Sequence, residues 1–256
     1  YLSTMHYVME ACAENGVPLF VLDRPNPNGF YIDGPVLEPS CKSFVGMHRI
    51  PIVHGMTLGE LALMINSEKW LAGGRECKLT VIPCIDYTHK SRYRLPVPPS
   101  PNLPDMQSVY LYPTLCLFEG SPLSVGRGTA FPFKAIGHPC FKGNKKYPFS
   151  FTPKSNNAKI KALLEGQVCY GRDFRDFNTA NINEINLDWI IDVYNDYNPR
   201  NSFFKAIFPK LAGNSILQKQ IAEGKTAEEI RQSWKTDLDG FKAKRKKYLL
   251  YPDFDN

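Results

Sequence analysis

Six consecutive residues, Val17 to Leu22 (VPLFVL), run between Gly16 and Asp23 without any alternation of apolar and polar side chains. An unbroken apolar run of that length reads as a parallel strand buried on both faces, because a strand with one wet face would alternate. Lys78 to Pro83 (KLTVIP) is its nearby counterpart. Ahead of it, Ser3 to Asn15 sets Met5, Val8, Met9 and Cys12 on one stripe and stops at Gly16, which predicts a helix. Helix, strand and the turn DRPNPNG make half of an α/β unit. Two strands do not form a stable doubly covered sheet. The expectation is therefore that this chain is the C-terminal portion of a longer protein whose other strands lie upstream.

The next constraint is Pro96 to Gly137, which is rich in Pro, Gly, Asn and Tyr and has little helical or strand period. Connections longer than about 12 to 15 residues are usually functional or disordered. Val109, Tyr110, Leu111, Leu115, Leu117, Phe118, Phe131 and Phe133 are too many large apolar groups for a solvated segment. The segment reads as an ordered wall of a ligand pocket. Beyond it come a short strand near Gly166 to Gly171 and helices expected at 188–197, 203–211, 215–223 and 226–248. Thr57-Leu58-Gly59-Glu60 and Thr226-Ala227-Glu228-Glu229 are capping boxes, which accounts for Glu60 without catalysis. The organisation expected is an α/β chain: residues 1–84 as the C-terminal part of a Rossmann-like domain, then 85–256 as a smaller α+β domain with a helical C-terminal tail.

Composition excludes more than it assigns. Hydrophobic residues make up 43% and charged residues 22%, ordinary for a globular chain, and no run approaches the ~20 apolar residues of a membrane span. Of the net charge of +6, a local +4 sits in Lys235 to Lys247, where six basic and two acidic residues alternate with Phe241 and lead into Tyr248 and Leu249. That pattern reads as the solvated face of a terminal helix rather than a nucleic-acid surface. The seven cysteines form no CxxC and have no His at zinc-ligand spacing, so no metal site is read. Most read as small buried hydrophobes, although a pair such as Cys77 and Cys84 could bridge.

Phosphate loops, nucleophile elbows and HExxH are absent, which weakens a nucleotide-dependent transferase reading. The loop carboxylates are Asp23, Asp33 and Glu119. Asp23, Arg24, Asn26 and Asn28 follow a strand's carboxyl end, where α/β sheets bind ligands. His54 precedes a helix N-terminus, which favours its neutral form. Glu119 lies in LCLFEGS, an apolar run closed by Gly120. Apolar surroundings favour the protonated carboxyl that a general acid needs, and glycosidases commonly use two such groups. Gly126-Arg127-Gly128-Thr129 suits a turn that brings backbone close to a ligand while Arg127 offers a planar fork to a carboxylate, either a ligand's or an internal one.

These residues carry a resemblance. LDRPNPNG at 22–29, GPVL at 34–37, SFVG at 43–46, HGMT at 54–57 with GEL at 59–61, PSPN at 99–102, Tyr112-Pro113, FEG at 118–120, GRGT at 126–129, YGR at 170–172 and KYLLYP at 247–252 are similar, in order, to the motifs of the NamZ-type exo-β-N-acetylmuramidases. The resemblance covers nearly the whole chain. It implies an exo-acting glycosidase that releases terminal N-acetylmuramic acid from the non-reducing end of peptidoglycan fragments, with the site in a cleft between two domains and no cofactor. It also implies an upstream half, bearing an acidic-His-Gly motif, that this chain does not contain. Family members are bacterial and often exported, which suggests an extracytoplasmic place. Catalysis is expected from Glu119 and Asp23. Arg24 and Arg127 are candidates for the lactyl carboxylate, Asn26, His54, Ser100 and Asn102 for sugar hydroxyl and acetamido groups, and Tyr112 for the ring face. The alternative is a protein of the same fold that binds muramyl sugars without cleaving them.

Overall fold

In the computed structural model, which describes residues 2–155 and 161–254, the chain is mixed α/β with helices and small sheets. It divides into two compact units, 1–93 with 234–256, and 94–233. The boundary falls at Tyr93 rather than near residue 84, and the C-terminal residues belong with the first unit instead of with a C-terminal domain.

In the first unit, α1 (Leu2–Asn15) leads into β1 (Leu19–Leu22), which pairs in parallel with β4 (Leu79–Ile82); between them lie β2 (Asp33–Val36), β3 (Pro51–Val53) and α2 (Leu58–Ser67). Met9 of α1 and Ala62 and Ile65 of α2 pack with Leu71 and Cys77 against Leu19, Val21 and Leu79. One face of the small sheet is thus covered. The other is not covered by any described residue: Phe20 is 62% and Leu22 77% exposed, so the expected burial on both faces is corrected to one. β2 and β3 form an antiparallel ribbon that the sequence pattern did not announce; with Gly34-Pro35 inside it and three residues in β3, too little period was present to read.

In the second unit, α3 (Met106–Leu115) occupies part of the stretch expected to be irregular. Its signal was an Asp105 N-cap that accepts from Ser108 N at 3.0 Å, and Pro113 near its end masked the helical pattern. β5 (Ala135–His138), β6 (Phe149–Phe151) and β7 (Cys169–Asp173) form an antiparallel sheet with β7 in the centre. The helices α4 (Asp188–Asp196), α5 (Phe208–Ala212) and α6 (Ile216–Ala222) come next, and α7 (Ala227–Arg245) spans the boundary between the units. α5 is shorter than the 203–211 helix expected, because Phe203 caps a separate turn at Arg200–Ser202. Both expected capping boxes form.

The end of α7 and the residues after it are bound into the first unit rather than solvated. Lys244 Nζ and the Tyr248 hydroxyl both donate to Glu68, at 2.5 and 2.8 Å. The Arg245 guanidinium, 1% exposed, donates to both Asp253 oxygens at 2.9 and 2.7 Å and twice to the Gly55 carbonyl. All seven cysteines are free thiols, so Cys77 and Cys84 do not bridge; Cys77 packs beside Cys12 instead. Among the described residues no helix is long and apolar enough to cross a membrane.

Candidate active site

The second unit assembles Glu119, Arg127 and Tyr112 with one residue the sequence did not announce, Phe133. α3 ends in a 3-10 turn, Cys116–Gly120, that delivers Glu119. Gly126 and Gly128, at φ +76° and +79°, fold the next turn; a Cβ on Gly126 would meet the Phe131 carbonyl at 2.8 Å. A side chain other than hydrogen would strain this backbone at both positions. The turn returns Arg127 to Glu119, with Nε and Nη2 donating to Oε1 at 3.0 and 2.7 Å. The guanidinium lies over the Phe133 ring, 4.9 Å from its centroid, and Tyr112 meets the same ring edge-on at 4.9 Å. Phe133 holds φ +54°, a left-handed backbone unusual for an aromatic residue, and strain of this kind gathers at functional sites.

The pair is partly open, with the Glu119 side chain 26% and that of Arg127 40% accessible. Glu119 Oε2 and Arg127 Nη1 have no protein partner among the described residues. Burial, then Cys116 and Glu119, push the Tyr112 phenol up, so it serves as a neutral donor. Burial and then Glu119 push the Cys116 thiol up to about 12, which removes it as a nucleophile. Arg127 was expected to take a ligand carboxylate; two of its nitrogens are instead committed to an internal one. Ser100 and Asn102 form a tight local turn, Asn102 N donating to Ser100 Oγ at 3.2 Å. The Pro-rich stretch does wall a cavity of about 590 Å³ lined by Pro98, Pro99, Leu103, Asp105, Met106 and Tyr110; Ser100, Asn102, Glu119 and Arg127 are not among its lining residues.

In the first unit, Asp23, Asn26 and His54 gather around the loop that leads into α2. Asp23 accepts from the Thr57 hydroxyl at 2.6 Å, the Tyr251 hydroxyl at 2.6 Å and Gly59 N at 2.8 Å. A Cβ on Gly59 would lie 2.7 Å from Asp23 Cγ, so glycine lets the helix N-terminus sit on the carboxylate. Both Asp23 oxygens are thereby engaged, and the residue acts as a staple between β1, α2 and the chain terminus. Asn26 donates to the Met56 carbonyl at 2.8 Å and accepts from Asn28 N at 3.0 Å, which fixes the turn and engages both ends of its amide. Arg24 is exposed at the same turn.

His54 Nδ1 accepts from Met56 N at 3.1 Å, so a neutral ring carries its proton on Nε2. Burial, then the nearby Arg245 and His89, pull its pKa down to about 4. His54 is a neutral donor at any pH above that. Beneath it, Glu60 is fully buried and its carboxylate accepts from His89 at 3.0 Å, Leu250 N at 2.9 Å and Thr57 N at 2.9 Å. This Glu60 and His89 network, and the Tyr251 contact, were missed because each joins residues far apart in sequence. Among the described residues no group of three or more His, Cys, Asp or Glu is placed to hold a metal ion.

Comparison with known proteins also divides the chain into two parts. Residues 1–107 match the family model described as exo-beta-N-acetylmuramidase NamZ, N-terminal, and residues 110–251 match its C-terminal counterpart. That junction lies beyond the break at Tyr93, because residues 94–107 pack with the second unit. A peptidoglycan beta-N-acetylmuramidase NamZ of Bacillus subtilis is 38% identical over 98% of this chain, and the chain spans 64% of that protein's length. The crystal structures of two DUF1343 family proteins of Bacteroides fragilis are similar over 99% and 98% of this chain and 71% of each of theirs. Their TM-scores are 0.94 and 0.80, at 49% and 29% identity. The chain belongs to the NamZ exo-β-N-acetylmuramidase family.

Proposed function

We propose that the protein carrying this chain is an exo-acting glycoside hydrolase that releases terminal N-acetylmuramic acid from the non-reducing end of peptidoglycan fragments. The observation that carries this is the matched family over both parts of the chain, together with a partly open carboxylate, Glu119, whose second oxygen has no protein partner among the described residues and which stands beside an aromatic platform. Support for the platform comes from Tyr112, which is 36% exposed and held by Phe133.

Glu119 is the catalytic carboxylate in this reading. Its ion pair with Arg127 suits a charged carboxylate that stabilises the oxocarbenium-like transition state or activates water, rather than the proton donor first expected. Arg127 is committed to Glu119 through Nε and Nη2, which leaves Arg24 as the candidate for the lactyl carboxylate. Asp23 acts through others: it holds Thr57 and the N-terminus of α2, and so sets the loop bearing His54, whose Nε2 proton suits an acetamido or hydroxyl oxygen. Ser100 and Asn102 shape the Pro-rich wall. The first unit is read as part of a Rossmann-like layer, supported by the parallel β1 and β4 pairing under α1 and α2.

The test is release of a chromogenic group from an N-acetylmuramic acid glycoside by the full-length protein, its Glu119→Gln variant and the N-acetylglucosamine analogue as controls. Turnover of the muramic substrate, lost in the variant, is the expected result. Saturable binding without turnover would leave only a sugar-binding role.

A further inference from the structure

A second pocket of the same unit, about 150 Å³, lies on the far side of α3. Tyr112 and Thr114 are two residues apart on that helix and therefore point about 200° apart. Tyr112 faces Phe133 beside Glu119, whereas Thr114 lines this pocket with Phe177, Asn178, Asn181, Asn186 and Trp189. Its aromatic wall is built: Trp189 lies 4.3 Å from the Phe174 ring at 30°, and Phe177 stands edge-on to Trp189 at 5.2 Å while remaining 40% exposed.

The polar groups have a fixed sense. Asn186 Oδ1 accepts from Trp189 N at 3.1 Å and Asn178 Oδ1 accepts from Ala180 N at 3.0 Å, so each amide presents its NH₂ elsewhere. Thr114, which is 7% exposed, accepts from Asn186 N at 3.0 Å, and its own hydroxyl proton has no protein acceptor among the described residues. The amide nitrogens of Asn178 and Asn186 and the side chain of Asn181 likewise lack one. The pocket therefore offers several uncommitted donors beside aromatic faces. A flat, oxygen-rich ligand with apolar C–H faces satisfies both halves of that description.

We propose that this pocket is a second carbohydrate subsite that takes one N-acetylated sugar unit of a glycan and tethers the protein to the polymer, apart from the Glu119 and Arg127 site. That the glycan is peptidoglycan rests on the functional reading above; the sugar chemistry rests on the pocket. The experiment is co-sedimentation of the full-length protein with insoluble peptidoglycan, competed by a soluble tetramer of β-1,4-linked N-acetylglucosamine. Phe177→Ala removes an exposed ring, and Trp189→Phe keeps the packing on Phe174 while deleting the indole N–H. Thermal melting verifies the fold of each, and Asn181→Ala, on an exposed side chain, replaces any variant that fails to fold.

The expected result is about a tenfold weaker sedimentation affinity, equivalent to about 1.4 kcal/mol, with unchanged turnover of the small chromogenic glycoside. Sedimentation equal to wild type in the folded variants overturns the subsite, as does loss of small-glycoside turnover in parallel with loss of binding. A wild-type protein that sediments through Phe177 yet cleaves no glycoside would sink the hydrolase reading and leave the subsite standing.

Discussion

Replacing Arg245 with methionine separates scaffold from chemistry in the first unit. The guanidinium is 1% exposed and its partner Asp253 6% exposed, and they meet at 2.9 and 2.7 Å. Arg245 Nε and Nη2 also donate to the Gly55 carbonyl at 3.0 and 2.7 Å. Methionine keeps much of the stem's volume but strands a buried carboxylate and a buried carbonyl. Removing one partner of a buried pair costs ~3–5 kcal/mol, chiefly because the other charge is left without compensation. With a urea dependence of ~2 kcal/mol per molar, the unfolding midpoint of this unit moves down by about 2 M. The double variant Arg245→Met, Asp253→Leu removes the stranded charge and recovers at least half of the loss. Arg245 is also the largest cause after burial that holds the His54 pKa at about 4, so proton NMR of the single variant should show that ring titrating higher. Equilibrium urea unfolding checks the first part. A loss below ~1 kcal/mol, or a double variant as unstable as the single one, would refute the assignment of this pair as a buried staple.

Acid should weaken the fold in a defined window. His48 and His54 both have pKa values lowered from 6.5 to about 4, burial being the first cause in each, so the unfolded chain binds more protons between those values and stability falls as pH drops from 6.5 to 4. At 1.36 kcal/mol per pH unit each ring contributes roughly 3 kcal/mol across that window, and His48→Gln should flatten a chemical-denaturation series over it. Tyr251→Phe removes the hydroxyl that donates to Asp23 at 2.6 Å and accepts from Cys84 N at 2.9 Å. A loss of ~2–3 kcal/mol is expected, since hydrogen bonds to charged groups are the stronger kind, and an unchanged melting curve would remove Asp23 from its staple role. Arg127→Ala should lower kcat on the muramic glycoside with KM little changed, because the side chain is committed to Glu119. A KM increase confined to the muramic substrate, and absent for the N-acetylglucosamine analogue, would instead assign Arg127 to the lactyl carboxylate.

How much the sequence could announce depends on the range of the interactions. α1, α2 and the two capping boxes depend on residues three or four apart, and they stand where the pattern put them. The Glu119 and Arg127 contact spans eight residues across a turn whose glycines were visible, so the chance of an internal carboxylate partner for Arg127 was readable though not decided. β1 failed on burial rather than on position: VPLFVL is apolar on both faces, but period alone does not say whether another layer is present to cover Phe20 and Leu22.

The C-terminal segment lay furthest beyond reach. Leu250 N meets Glu60 across 190 residues and the Tyr251 hydroxyl meets Asp23 across 228, and no local rule links such partners. The charge pattern of Lys235 to Lys247 accounted for the exposed residues of a helix face, but not for Lys244 and Arg245, which are bound into the first unit, nor for the residues beyond them. Yet Tyr251, among those residues, determines the chemistry available at Asp23. Oδ2 takes both the Thr57 and the Tyr251 hydroxyls while Oδ1 sits on Gly59 N, so Oδ2 reaches a substrate only by releasing a partner. A catalytic Asp23 working through that oxygen would therefore require Tyr251 to swing away, and Tyr251→Phe should then raise turnover; if Asp23 is a staple, the same variant lowers stability and leaves turnover at or below wild type. The two roles predict opposite signs for one substitution, which makes it the sharper probe of a residue whose position at the end of β1 pointed to catalysis.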